Sequence, residues 1–256
     1  MSPTRVPLIA GNWKMNTTIA EARALARALV SDLDGVADVE VLLCPPFVSL
    51  TTVGGEISGT SLKLGAQNLH PESKGAFTGE VSPAMLSGLC DYVIVGHSER
   101  RTLFGEDDSL VNRKVHAALV HGLVPILCVG ETLAQREAGA TDEVLARQTA
   151  LGLDAVPPDA DFVVAYEPVW AIGTGKAASA PDAHQAISLV RRTVSQQLGV
   201  KTAERTRVLY GGSVKSSNIR DFMASDEIDG ALVGGASLDP EDFSGIVAGA
   251  SRSSSG

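Results

Sequence analysis

Eight short apolar runs, spread along nearly the whole chain, constrain the fold more than any other feature. They are VPLIAG from Val6, VEVLLC from Val39, SLKLGA from Ser61, DYVIVG from Asp91, LVPILCVG from Leu123, DFVVAY from Asp161, RVLYGG from Arg207 and GALVGG from Gly230. Each is brief, rich in β-branched residues and often bounded by Gly or Pro, as a strand buried on both faces should be. Amphipathic stretches lie between most of them. From Thr17 to Leu33, apolar Ile19, Ala22, Leu25, Ala26 and Leu29 recur at helical spacing, with Glu21, Arg23 and Arg27 among them. Ser109–His121, Asp182–Leu198, Ser216–Ala224 and Asp239–Ala250 read the same way. Ser216 and Asp239 suit N-caps, and Pro240 suits a first helical turn. Gly54-Gly55 reads as a turn.

Alternating strand and helix imply a parallel sheet. Eight such units in 256 residues match the size of a closed (β/α)8 barrel. An open doubly wound sheet is the rival, but no G-x-G-x-x-G opens the first helix. The α/β chain, residues 1–256, is therefore expected to form a single barrel domain, with SRSSSG, residues 251–256, as a disordered tail.

Composition narrows the partners. The net charge is −9 without a dense Lys/Arg block, which argues against nucleic acid. An anionic ligand would have to be held by local groups against that summed charge. Apolar residues make up 44% of the chain, and no run approaches the roughly 20 residues that span a bilayer, so no membrane partner is expected. The first residues, MSPTRVPLIAG, lack the basic start and long apolar core of a secretion signal, and the reading is cytoplasmic. Cys44, Cys90 and Cys128 form neither a C-x-x-C pair nor a metal-ligand spacing, which fits buried thiols in a reducing compartment.

In (β/α)8 barrels the chemistry sits where the strands end. Asn12 and Lys14 follow the first run, Asn68 the third, and His97, Ser98 and Glu99 the fourth. Cys128 and Glu131 close the fifth, Glu167 follows the sixth, Gly211-Gly212-Ser213 the seventh and Gly234-Gly235 the eighth. The two glycine pairs let backbone N–H groups approach a ligand, and the last two loops are the usual phosphate site of a barrel. Lys14 is placed to hold an anion at the barrel mouth. His97 ends a strand and precedes a helix start at Ser98-Glu99, where a helix N-terminus disfavours the imidazolium; a neutral ring could donate a hydrogen bond. His70, His116, His121 and His184 have plain surface or packing readings. Glu167 is the candidate base, its basicity raised if a flap closes over it. Pro168 through Ile172 would form that flap, with Gly173-Thr174-Gly175 as its hinge.

"AYEPVWAIGTG", "GNWKMN", "VGHSERR", "GAFTGEVS", "LCVGETL", "YGGSV" and "LVGGASL" together resemble the triosephosphate isomerase family, in order and from Val6 to about Ala250. The resemblance implies a TIM barrel that interconverts dihydroxyacetone phosphate and D-glyceraldehyde 3-phosphate through an enediol(ate), in glycolysis and gluconeogenesis, without metal or organic cofactor. It implies Glu167 as the base and His97 as the neutral electrophile. Lys14 and Asn12 would bind and polarise the substrate. Gly173, Ser213, Gly234 and Gly235 would hold its phosphate. Glu99 would support Lys14 and His97, Tyr210 with Ser213 would latch the lid, and Cys128 would pack beside the base. "AQNLHPESKGAFTGE", Ala66 to Glu80, is long for its position. In the family this loop reaches a second subunit, which implies a homodimer with Phe77 and Thr78 in the dimer loop. Another phosphate-handling barrel, acting on a larger sugar or indole phosphate, would share the glycine loops without needing Lys14, His97 and Glu167 together. A purely binding role is the third alternative.

Overall fold

A computed structural model describes residues 5–171 and 178–251. The first half of the chain runs β1 (Leu8–Asn12), α1 (Ile19–Leu33), β2 (Glu40–Cys44), α2 (Leu50–Glu56), β3 (Lys63–Ala66), α3 (Pro83–Leu86), β4 (Tyr92–Val95), α4 (Ser98–Leu103) and α5 (Asp108–Val120). The second half runs β5 (Val124–Val129), α6 (Leu133–Glu137), α7 (Thr141–Gly152), β6 (Val163–Tyr166), α8 (Ala180–Leu198), α9 (Val200–Arg205), β7 (Arg207–Tyr210), α10 (Ile219–Met223), β8 (Gly230–Val233) and α11 (Pro240–Ala250). Every strand pair is parallel, and β1 pairs with both β2 and β8, so the sheet closes into the expected (β/α)8 barrel.

Each of the eight apolar runs contains one strand because a closed parallel sheet is buried on both faces. Alternate residues divide the core in two. Leu8, Ala10, Leu42, Cys44, Ile94, Ile126, Cys128, Val163, Ala165, Leu209 and Leu232 pack together inside the barrel. Their neighbours Ile9, Val41, Leu43, Val93, Leu127 and Val164 belong to the cluster shared with the helices. The same alternation carries to the rim. Asn12 follows Leu8 and Ala10, and Glu167 follows Val163 and Ala165, so polar side chains inherit the inward direction of an apolar column.

Local signals set the helix starts. Thr18 and Glu21 close a capping box on α1. Asp239 caps α11 by accepting from the N–H groups of Glu241 and Asp242, with Pro240 next in line. Three expectations shift. Ser216 does not cap α10: that helix starts at Ile219, and the Ser216 N–H donates to Asp242 instead. Gly54-Gly55 is no turn but lies within α2, where a Cβ on Gly54 would press on Leu64 at 3.1 Å; the missing side chain lets the helix lie close on β3. At the other end of the chain, the Ser251 hydroxyl donates to Asp38, so the first residue assigned to the tail is anchored. Residues 252–256 lie outside the described residues.

Candidate active site

At the C-terminal ends of the strands a cavity of about 590 Å³ opens, lined by Asn12, Lys14, His97, Glu99, Glu167, Ser213, Gly234 and Gly235, among others. Ser98, Gly211 and Gly212 line it too, so eleven of the strand-end residues singled out from the sequence share one space. Gly173 lies outside the described residues, as do Ile172, Thr174 and Gly175 of the proposed flap and hinge.

Glu167 is 2% exposed. Its Oε1 lies 2.9 Å from His97 Nε2 and accepts from the Ser98 hydroxyl at 3.2 Å; its Oε2 accepts the Ser98 N–H at 2.8 Å. Burial pushes its pKa up, but His97, the Ser98 N–H and Lys14 outweigh burial and hold it below the ordinary carboxylate value. Desolvation alone does not set its basicity: in this position the carboxylate is stabilised, and it becomes a stronger base only on leaving these partners.

His97 is the N-cap of α4, and its Nδ1 accepts the Glu99 N–H at 3.2 Å. With Nδ1 an acceptor, the neutral ring carries its proton on Nε2, which points at Glu167. Burial drives the imidazole toward neutrality, but the Glu167 carboxylate outweighs it and raises the pKa above the ordinary histidine value. Moving Glu167 away removes the main opposing influence, leaving burial and the Glu99 N–H to favour the neutral ring.

Lys14 has a left-handed backbone, φ 54°. Its Nζ meets Glu99 Oε1 at 2.6 Å, and its N–H donates to Asn12 Oδ1 at 3.1 Å. On the opposite wall, a Cβ on Gly211 would stand 3.0 Å from Glu167 Cγ, so that glycine gives the carboxylate room. A Cβ on Gly235 would meet nothing within 4 Å among the described residues beyond its chain neighbours, and Gly235 lines the cavity. Among the described residues, the backbone N–H groups of Ser213, Gly234 and Gly235 donate to no acceptor, which leaves three donors on one side of the cavity.

Other expected residues stand behind this surface. Cys128 is fully buried inside the barrel, and burial together with nearby Glu167 raises its thiol pKa well above normal. The Tyr210 hydroxyl accepts the Ala178 N–H at 3.2 Å and its ring stacks on Phe222. It does not line the cavity, and its described bond is to Ala178 rather than Ser213. Asn68 is drawn away to buried Lys114. Glu131 Oε1 accepts from Trp170, Tyr166 and Arg136 at the start of the flap segment. Phe77 and Thr78 are exposed, and Phe77 packs on the ring of His70.

Two contributors escaped sequence reading. Ser98 stands in the sequence as a strand-end residue and helix start with no role assigned, yet it supplies two bonds to Glu167; its place directly after His97 at a helix N-terminus is the available signal. Gln67 lies in the long stretch after β3, and nothing in its local sequence shows that it reaches the Lys14 backbone. Among the described residues, no three His, Cys, Asp or Glu side chains are grouped to hold a metal ion, and no helix is long and apolar enough to cross a membrane.

A buried carboxylate, an imidazole and an ammonium converging at the C-terminal rim define a (β/α)8-barrel enzyme equipped for acid–base chemistry. The family model for triosephosphate isomerase matches residues 7–250. The chain is 52% identical over 246 residues to the triosephosphate isomerase of Chloroflexus aurantiacus, covering 95% of this chain and 98% of that protein. It is 54% identical to that of Moorella thermoacetica, covering 95% and 98%. The crystal structure of triosephosphate isomerase from Bartonella henselae superposes with a TM-score of 0.86 at 38% identity, covering 94% of this chain and 97% of that one. The chain belongs to the triosephosphate isomerase family. It is an isomerase of triose phosphates, an activity whose general place is glycolysis.

Proposed function

We propose that Glu167 is the base that moves a proton between the two carbons of dihydroxyacetone phosphate and D-glyceraldehyde 3-phosphate. The observation that carries this reading is the placement of a 2%-exposed carboxylate 2.9 Å from His97 Nε2, on the wall of the cavity that Lys14 also lines. Glu167 must leave Ser98 and His97 to reach the substrate carbon. The same move restores its basicity and frees the Nε2–H of His97. Neutral His97 then donates to the carbonyl oxygen and carries protons between the two oxygens of the enediol(ate). Lys14 and Asn12 bind and polarise the substrate, with Glu99 orienting the ammonium through its 2.6 Å ion pair.

The phosphate is assigned to the open N–H groups of Ser213, Gly234 and Gly235, with a further donor at Gly173. Tyr210 and Ser213 serve as the latch of the lid, and Cys128 shapes the wall behind the base. With a net charge of −9, these local donors and Lys14 must attract the dianion.

The functional unit is assigned as a homodimer joined through the loop that carries Phe77 and Thr78. The exposed Met15, Phe77 and Met85 support that reading, because a partner would remove their apolar surface from water. Three buried free cysteines suit the reducing cytoplasm, the compartment assigned here.

A coupled NADH assay with glyceraldehyde 3-phosphate at several protein concentrations, with and without 2-phosphoglycolate, tests the scheme. Fast turnover blocked by the mimic and lost on dilution is expected. Turnover indifferent to 2-phosphoglycolate would reject the anion site, and activity independent of dilution down to a sedimenting monomer would reject the dimer.

A further inference from the structure

We infer that Gln67 is a positioning residue that fixes the backbone of Lys14, and through it the ammonium at the cavity. This inference rests on the reading of Lys14 as a substrate-binding group. Gln67 follows β3, and its Nε2 donates to the carbonyl of Lys14 at 2.8 Å and to that of Cys44 at 2.8 Å. Both partners are carbonyl oxygens, so only the NH2 end of the amide can make these bonds, and the side-chain orientation is fixed by chemistry.

The two carbonyls belong to different elements. That of Cys44 closes β2 and also accepts the Trp13 N–H at 3.1 Å. That of Lys14 lies in the loop after β1. One side-chain amide thus joins three adjacent strand ends at the rim. The loop needs such a tie because Lys14, with φ 54°, holds a left-handed conformation that costs a non-glycine residue free energy and persists only where its surroundings enforce it. The Lys14 N–H is held by Asn12 and its carbonyl by Gln67, one on each side of the strained residue. Removing the second restraint lets the peptide relax, and the ammonium moves with it.

A double-mutant cycle on the full-length protein tests this, with kcat/KM from the coupled assay and the inhibition constant of 2-phosphoglycolate as readouts. Gln67→Met keeps the side chain's length and removes its donors. In the parent, it is expected to lower kcat/KM about ten- to a hundredfold, the order of loss that a misplaced site group produces, and to weaken 2-phosphoglycolate. In a Lys14→Met background, where the ammonium is already absent, the same change is expected to cost less than about twofold. A Gln67→Met cost that is equal in both backgrounds would overturn the inference, because Gln67 would then act on general packing. Parent-like kcat/KM in Lys14→Met alone would instead overturn the reading of Lys14, and the inference with it. Should Gln67→Met fail to fold, the cycle is run with Gln67→Asn, which keeps the amide and withdraws it by one methylene. The same two outcomes then decide, with urea midpoints confirming that all variants compared are folded.

Discussion

The two ends of the barrel use their polar groups in opposite ways. At the N-terminal end, charges neutralise one another. Asp229, just before β8, is completely buried, receives Arg5 at 2.7 Å and Arg191 at 2.6 Å, and also accepts the Val208 N–H at 2.9 Å. Across the same end, Tyr92 donates to Glu40 and accepts from Arg207 at 2.7 Å, while Arg207 lies 3.4 Å from Glu40. At the C-terminal end, the N–H groups of Ser213, Gly234 and Gly235 lie at the cavity with no acceptor among the described residues, two non-glycine residues of the β1–α1 loop, Lys14 and Thr17, have positive φ, and the base is bonded to groups that weaken it. The first arrangement lowers the energy of the folded chain. The second leaves bonding capacity for a ligand. Stability and activity should therefore separate by barrel end, as they do in principle for this architecture.

The largest effect is expected on activity. Glu167→Gln keeps the shape of the side chain and removes the base, so kcat should fall by about 10²–10⁴ or more. The thermal midpoint should fall only modestly at neutral pH, through weakening of the Glu167 bonds to His97 and Ser98, and a coupled assay beside a melting curve reads both. Asp229→Ala is the converse. Two arginines lose a buried carboxylate, and stability in urea should drop by about 3–5 kcal/mol, while the folded fraction keeps kcat within about twofold. A large kcat loss from Asp229→Ala in the folded state would break the division between the two ends.

A pH experiment sharpens it. The folded pKa of His97 is raised above its ordinary 6.5, chiefly because Glu167 overcomes burial. The stabilisation it contributes is thus present in full below about 6.5 and is lost as pH rises through the folded value. Glu167 has the opposite sign: its pKa lies below 4.5, so its contribution is present above that value and fades as pH falls through the folded one. Glu167→Gln should remove the raising influence and shift the His97 titration, followed by NMR of the imidazole, to lower pH. An unchanged or higher titration point would contradict the pairing. The smallest effect is expected at Thr17. This β-branched residue has φ 73°, and its buried hydroxyl has no partner among the described residues. Thr17→Gly should raise stability by about 0.5–1 kcal/mol, read as a higher urea midpoint.

The barrel was legible because closure makes each strand a continuous apolar run, a signal that needs no knowledge of its partner. The α7 helix escaped because its buried face contains Gln148 and Thr149 beside Val144 and Leu145, which weakens the apolar periodicity. Burial there depends on the Gln148 side chain accepting the Gly130 N–H at 2.7 Å, a long-range contact with no local trace. The same distinction runs through the site. Asn12 and Glu167 were legible because each lies at or just beyond the end of a strand, in register with an inward column. His97 was legible only from its place at a strand end, since it continues the outward positions Val93 and Val95 and reaches the cavity after the left-handed Gly96 breaks the alternation. The contributions of Ser98 and Gln67 depend on one backbone N–H and one amide finding partners far away in sequence. The weakened state of Glu167 was illegible for the same reason, since it comes from bonds to α4 and not from the residue's own surroundings in the chain.

Proton transfer itself gives the most direct test of Glu167 as the base. Isomerisation of dihydroxyacetone phosphate run in D2O, with the product followed by NMR, reads whether the transferred hydrogen passes through an exchangeable group. The assignment predicts deuterium at C2 of glyceraldehyde 3-phosphate with the parent protein, and with Glu167→Gln no incorporation above the buffer rate. Product free of deuterium, or incorporation by Glu167→Gln at the parent rate, would contradict it.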